Sequence, residues 1–385
     1  MEPIKYSYND DEFNPFLITG YLDKEHFCNR EKETANITSL NQGRINITLF
    51  ALRRMGKTGL IHHLFNSIEK QNKIACLYID ILSTQNMKEF ISILTNAIYK
   101  RFPENKGIGS KLLETIKSLR PMVSFDELSG TPELSLDFKQ SHQYEKTIQQ
   151  LFEFLDNQNL KIIVAIDEFQ QILEYPEKNI EATLRTFIQN LNQTNFIFCG
   201  SNQQMMNEIF NDAKRPFFAS CTHLKLDEIA YEDYSLFIKK MFNNHHKEIS
   251  QESIDFILEW TERHTFYTQY VCNRVFAGGS KNIAIDYVRV ICKEILLQNE
   301  HIYFQYRALL TQGQWKILKA FAKEGKVTQP HAAKFIHQYE LGSSALVKRG
   351  LDSLLNKEMI SISYTENGVV YSVYDKFLMR WLARS

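Results

Sequence analysis

Residues 46–60, NITLFALRRMGKTGL, carry a short β-rich run into a helix through Gly56, Lys57 and Thr58. No other stretch of the chain constrains its fold as tightly. G-K-T between a strand and a helix completes the phosphate-binding pattern G-x-x-x-x-G-K-[ST], and the strand–helix setting is what gives that pattern its meaning. The helical side is amphipathic, with Leu60, Ile61, Leu64 and Ile68 at helical spacing. Ala51 stands five before Gly56, where the pattern asks for glycine. Alanine is the smallest replacement, and its cost depends on whether the backbone there has a positive φ.

The strand–helix alternation continues. KIACLYIDI (73–81), KIIVAIDEF (161–169) and TNFIFCGSN (194–202) read as buried strands, and MKEFISILTNAIYKRF and IEATLRTFIQNLNQ as helices. This order predicts an α/β fold: a P-loop NTPase parallel sheet flanked by helices. One segment interrupts it. Residues 121–138, PMVSFDELSGTPELSLDF, read as an inserted β-hairpin turning at SGTP. Beyond about residue 226 the patterns turn helical, which predicts an all-α lid subdomain over 226–300. Three helical patterns and the paired runs ISISY and GVVYSVY, joined by TENG, predict a C-terminal winged helix over 301–385. The α/β domain then spans 43–225, behind an N-terminal segment 1–42.

Charge and cysteine usage bound the function classes. Lys+Arg and Asp+Glu number 45 each, so no global charge points to nucleic acid or membrane. The last 85 residues, 301–385, hold twelve Lys/Arg against six Asp/Glu, which opens a nucleic-acid reading for that module. Six cysteines without a C-x-x-C pair read as reduced thiols, with a cytoplasmic location and neither disulfides nor zinc expected. No apolar run approaches the ~20 residues of a membrane helix.

The chemistry follows from the loop and the third strand. In a P-loop the backbone amides curl round the phosphates, Lys57 reaches the β/γ oxygens and the Thr58 hydroxyl takes Mg²⁺. Ala51, Arg53, Arg54, Met55, Gly56 and Gly59 complete the candidate cradle, one of the two arginines facing phosphate or a neighbouring acid and at least one facing solvent. IIVAIDEF ends in two carboxylates, Asp167 to support the metal and Glu168 to polarise the attacking water. The blander alternative is a helix cap after a strand. Ser201 and Asn202, at the end of the fourth strand, are placed to touch the γ-phosphate or the water, or form a polar strand-end turn. The reading places a triphosphate with its magnesium where two neighbouring strand tips meet.

These residues together resemble the prokaryotic AAA+-like ATPase family, common in archaea and Bacteroidetes-type bacteria and related to the STAND signalling ATPases. The likeness runs through FCNREKE (27–33), LRRMGKT, LYID (77–80), VAIDEF, FCGSN, RPFFAS (215–220), ERHTFYTQYVC (262–272) and VYDKFLMRWL (373–382). It departs from the family pattern at Asn29, Ala51, Arg263 and Thr265, and at Ser220, where many relatives carry an arginine finger. The resemblance implies ATP rather than GTP, and no N-K-x-D motif reads guanine. It also implies that Arg215 could stabilise transferred phosphoryl charge, and that Arg263 and His264 report nucleotide state. Arg215 reads equally as a surface arginine and His264 as a satisfied buried histidine.

Two functions follow. One is an ATP-hydrolysing conformational switch of slow turnover. The other is a nucleotide-responsive DNA-binding regulator or mobile-element accessory factor with vestigial hydrolysis, contacting phosphates through Ser344, Lys348 and Arg349 on the third helix of the winged module. A phosphotransferase is a third class, but no acceptor pocket is legible and the winged helix would be unexplained. The expected partners are ATP or ADP, DNA, and a protein whose identity the sequence does not give. A homo-oligomer stays open, and no membrane is expected.

Overall fold

A computed structural model of the chain describes residues 13–70, 74–102, 121–125, 132–136, 142–278, 280–366 and 368–384. The chain divides into two compact units. Gly20–Glu228 form one; the other joins Ile229–Ser385 to the N-terminal stretch ending at Thr19.

The first unit is built on five parallel strands: β1 (Ile47–Phe50), β2 (Ile74–Asp80), β5 (Lys161–Asp167), β6 (Thr194–Gly200) and β7 (Thr222–Lys225). Their order is β2-β5-β6-β1-β7. The fifth strand, β7, has alternating half-exposed residues and no apolar run, so the sequence pattern did not reveal it. β1 and β6 are buried along their whole length, as a sheet covered on both faces requires. One face packs Ile47, Leu49, Ile163, Ala165 and Ile197 against α1 (Glu31–Gln42) and α2 (Lys57–Glu69). The other packs Val164, Ile166, Phe196 and Phe198 against α3 (Met87–Arg101) and α4 (His142–Asp156).

The strand order corrects one expectation. The loop strand β1 and the acidic strand β5 are not neighbours, because β6 lies between them. All three are equally apolar, and local pattern carries no information on which pairs with which. The register still brings their tips to one end of the sheet: Phe50 pairs with Gly200, and Asp80 with Asp167.

The expected hairpin forms as β3 (Pro121–Phe125) antiparallel to β4 (Pro132–Leu136). Its turn, residues 126–131, and Phe138 lie outside the described residues. Past β5, a 3₁₀ turn (Phe169–Glu174), α5 (Ile180–Ile188) and α6 (Gln203–Asn211) complete the unit.

The second unit opens with helices α7 (Tyr231–Asn244), α8 (Gln251–Trp260), α9 (Thr265–Ala277), α10 (Ile285–Gln298) and α11 (Glu300–Leu309). Strands do not stop altogether there: Glu248–Ile249 and Asn282–Ile283 form a short parallel pair, β8 and β9. The winged helix follows as α12 (Gln312–Glu324), α13 (Ala333–Gln338), α14 (Ser344–Asn356) and the hairpin β10 (Ile360–Thr365) and β11 (Gly368–Val373). Asn367 in the TENG turn lies outside the described residues. Thr311 and Gln314 form a capping box that starts α12, satisfying two amides that would otherwise lack acceptors.

The last helix, α15 (Lys376–Ala383), anchors the winged module to the helical one. Asp375 caps it by accepting from the amides of Phe377 and Leu378. Phe377 packs against Trp260 and Tyr267, ring centroids 5.5 and 4.7 Å away. Arg380 donates to the carbonyls of Trp260 and Glu259, both at 2.9 Å, at the C-terminal end of α8. Lys376 pairs with Glu262 at 2.8 Å. Burying a ring such as Phe377 stabilises by about 1.5–3 kcal/mol, so this one helix is a strong tether.

Candidate active site

Ala51 leaves the end of β1 deeply buried. It is not among the described residues with positive φ; the left-handed positions of the loop are Arg54 (φ 62°) and Gly56 (φ 93°). The turn that the pattern assigns to a first glycine is made later in this loop, and the alanine carries no backbone strain. Gly56 caps α2. An added Cβ on Gly59 would stand 3.3 Å from the Phe27 ring, which itself stacks on His63 at 4.4 Å. Phe27 thus packs against the helix that bears the loop. Met55 is buried beneath it, while Arg53 and Arg54 are exposed.

Lys57 and Thr58 open α2 and meet the acid pair. The Thr58 hydroxyl donates to Asp167 Oδ2 at 2.9 Å, and Lys57 Nζ lies 3.8 Å from Glu168 Oε1. Lys57 is only 7% exposed and Asp167 3%. A cation and an acid are kept that deep only when they compensate one another or await a charged ligand. Glu168 adopts the left-handed conformation, φ 55° and ψ 41°. That conformation at the strand tip costs on the order of 1–3 kcal/mol that the surroundings must hold.

Those surroundings are specific. Glu168 Oε2 accepts from the Ser201 hydroxyl at 2.7 Å, from the Ser201 amide at 3.3 Å, and from Gln170 Nε2. Arg53 Nε donates to Ser201 Oγ at 3.3 Å, which ties the loop, the tip of β6 and Glu168 together. Burial alone would raise the Glu168 pKa. The Lys57 charge and the bonds from Gln170 and Ser201 outweigh it, and hold the carboxyl below its ordinary range. It is therefore ionised at neutral pH, as a group that orients and polarises water must be.

Sequence reasoning missed three members of this site. Tyr78, on β2, donates its hydroxyl to Asp167 Oδ2 at 2.9 Å, and burial beside that carboxylate raises its pKa. Asp80 ends β2 opposite Asp167, its pKa raised by burial and then by Asp167 and Glu168. Gln170 orients Glu168. The signal for the first two was a hydroxyl and an acid at the end of an apolar strand, LYID. For Gln170 it was an amide two positions after the acid pair.

The other expected site residues have contacts of their own. Asn202 caps α6, accepting from the Met205 amide. Arg215 is held by Glu181 at 2.8 Å and Glu208 at 3.6 Å. His264 belongs to the second unit, where it precedes α9 and lies 4.8 Å from the Tyr267 ring. Ser344, Lys348 and Arg349 are exposed on α14, whose Val347, Leu351 and Leu354 are buried.

The donor set fits a magnesium nucleotide. Thr58 and Asp167 offer hard oxygen ligands side by side, Lys57 offers a buried cation, and the loop amides begin a helix.

An ATPase domain described as predominantly from Archaea matches residues 27–264, and a probable winged helix domain matches 301–384. No functionally curated protein matches the chain. Among solved structures, a Walker-type ATPase of Pyrococcus abyssi is similar over 96% of this chain and 100% of its own, with a TM-score of 0.67 and 16% identity. The ORC2 protein of Aeropyrum pernix, in ADPNP–ADP complexes, is similar over 92% of each chain, with a TM-score of 0.55 and 13% identity. At such identities the likeness is one of fold.

Proposed function

Since the chain belongs to the ATPase domain family found predominantly in Archaea, we propose that it is a conformational switch that binds Mg-ATP and hydrolyses it slowly, with the helical and winged-helix unit as its output. The observation that carries this reading is the meeting of Lys57 and Thr58 with Asp167 and Glu168 across an intervening strand. The A. pernix relative, seen with ADPNP and ADP, supports nucleotide as the ligand.

Lys57 and the loop amides bind the phosphates. Thr58 and Asp167 would hold Mg²⁺, which when bound neutralises charge between the β- and γ-phosphates. Tyr78 keeps Asp167 in place by its hydrogen bond. Ionised Glu168 orients a water on the γ-phosphorus; the bond to the ADP oxygen breaks, and ADP and inorganic phosphate leave. Ser201 and Gln170 hold Glu168 in position. Arg215 serves the developing phosphoryl charge on release from Glu181 and Glu208. Such a switch follows the logic of the STAND signalling ATPases, to which the AAA+-like family that the sequence resembles is related. Phosphate release from labelled ATP tests it: Lys57→Ala and Glu168→Gln are expected to lower the rate by about 10²-fold or more, and equal release by wild type and both variants would refute it.

A second reading rests on the exposed Ser344, Lys348 and Arg349 of α14. Hydroxyls and cations there suit DNA phosphates, although Asp352, also exposed, opposes them. Under this reading, a low-salt gel shift with duplex DNA weakens in the Lys348→Glu/Arg349→Glu variant. Absence of any shift by wild type at low salt sinks it.

A further inference from the structure

Three donors converge on Asp167. The Thr58 and Tyr78 hydroxyls both donate to Oδ2, each at 2.9 Å, and the Glu168 amide donates to Oδ1 at 3.0 Å. An ionised carboxylate has about four lone-pair positions, two on each oxygen. Both positions on Oδ2, the oxygen that Thr58 bonds, are therefore taken. The remaining position is on Oδ1, which Thr58 does not bond. Asp167 is deeply buried, so its carboxylate has little freedom to turn.

The sheet fixes the tyrosine hydroxyl there. Tyr78 stands on β2 in register with Ala165 of β5, and Asp167 lies two residues further along β5 on the same face. Ala165 offers only a methyl beside the ring, and the hydroxyl ends on Asp167. His62 of α2 lies against the same ring, centroids 4.9 Å apart. A phenylalanine would keep these ring contacts and leave one position on Oδ2 open. The hydroxyl is thus the part of Tyr78 that bears on the carboxylate.

We propose that Tyr78 is a specificity-determining residue: by filling Oδ2 it keeps Asp167 from ligating the metal directly, and so selects magnesium over calcium. This rests on the reading of the site as one for a magnesium nucleotide. The Thr58 hydroxyl donates its one proton to Asp167 and keeps its acceptor positions for the ion. Asp167 then acts on the ion at one remove, through Thr58 and through water. Magnesium suits such a site, because it gives up its waters reluctantly and usually keeps several. Calcium takes roughly six to eight oxygen ligands, commonly carboxylates, and is poorly served where the nearest carboxylate oxygen is already full. Without the tyrosine hydroxyl, Oδ2 gains an open position and becomes a direct ligand that calcium can use.

The test is isothermal titration of the full chain with ADPNP, once in magnesium and once in calcium. Wild type is expected to bind at least about tenfold more tightly with magnesium. Tyr78→Phe is expected to bind about tenfold or more tightly than wild type with calcium, and so to narrow that gap; partners of metal ligands act on the scale of about 10–100-fold. If Tyr78→Phe does not fold, Tyr78→Leu, which also lacks the hydroxyl, takes its place. Calcium binding no tighter in the variant than in wild type overturns the assignment. That result covers an equal loss with both metals, which would mean that Tyr78 steadies a carboxylate that ligates directly. Equal binding of both metals by wild type overturns it too. If wild type binds no ADPNP with either metal, the nucleotide reading fails and takes this inference with it; if wild type binds with magnesium and the variant does not gain with calcium, the inference alone fails.

Discussion

Gly200→Ala tests how tightly Glu168, the acid proposed to orient water, is held. Gly200 ends β6 beside Ser201. A Cβ added there would stand 2.5 Å from Met206 Sδ and 2.6 Å from its Cγ, and would overlap Gln170 Oε1. Both neighbours are the far ends of flexible side chains, but Met206 is fully buried and Gln170 is 6% exposed, so neither has open space to move into. Overpacking of this kind costs about 1–3 kcal/mol. For a unit of this size each kcal/mol lowers Tm by about 2–4 °C.

The functional consequence is more specific. The added methyl presses the Gln170 carboxamide out of line, and Glu168 loses one of the bonds that hold its pKa down. The acid limb of the phosphate-release pH profile should then move to higher pH. A double-mutant cycle separates this route from a clash with Met206 alone. Adding Gln170→Ala opens the space, so the double variant should be more stable than the sum of the singles by about 0.5–3 kcal/mol. Thermal melting of the four proteins and the pH profile of turnover are the assays. A Gly200→Ala protein with wild-type Tm and an unmoved acid limb would refute the reasoning.

Two further outcomes follow from the same contacts. The folded-state pKa of Glu168 lies below its ordinary value of about 4.3; its ionised form therefore stabilises at neutral pH, and that contribution drains away as pH falls below about 4. Glu168→Gln should flatten this part of the denaturant-midpoint profile between neutral and acid pH. Arg380→Ala removes two bonds from a cation to carbonyls, each up to about 1.5–3 kcal/mol; differential scanning calorimetry should show the transition of the second unit lowered while ADP affinity is unchanged.

Much of the fold was legible because the sheet is buried on both faces. Runs such as KIIVAID suit a strand covered on both faces, and their polar ends, Asp167 and Glu168, mark where ligands are proposed to bind. The winged helix was legible from its period change and paired β-rich runs. Three things were not. The order of the strands was hidden, since β1, β5 and β6 offer the same apolar surface to any neighbour. β7 was hidden by its alternating exposure. The support of Glu168 was hidden too. It depends on a left-handed residue and on side chains from the P-loop, the tip of β6 and the 3₁₀ turn, which meet only when the chain is folded.

Ala51 shows the reverse case, where sequence raised a doubt that geometry answers. Restoring the motif glycine, Ala51→Gly, should bring no gain. The backbone at 51 is not left-handed, so glycine relieves nothing in the folded state and adds freedom to the unfolded one, a loss of about 0.4–1 kcal/mol. The alanine methyl is buried against the core beneath the loop, and removing it adds about 0.8 kcal/mol. The variant should melt a few degrees lower, with ADP affinity unchanged by isothermal titration. Tenfold tighter binding in Ala51→Gly would mean that the loop must reach a left-handed turn at 51 when nucleotide is present, and the account of this cradle would fail.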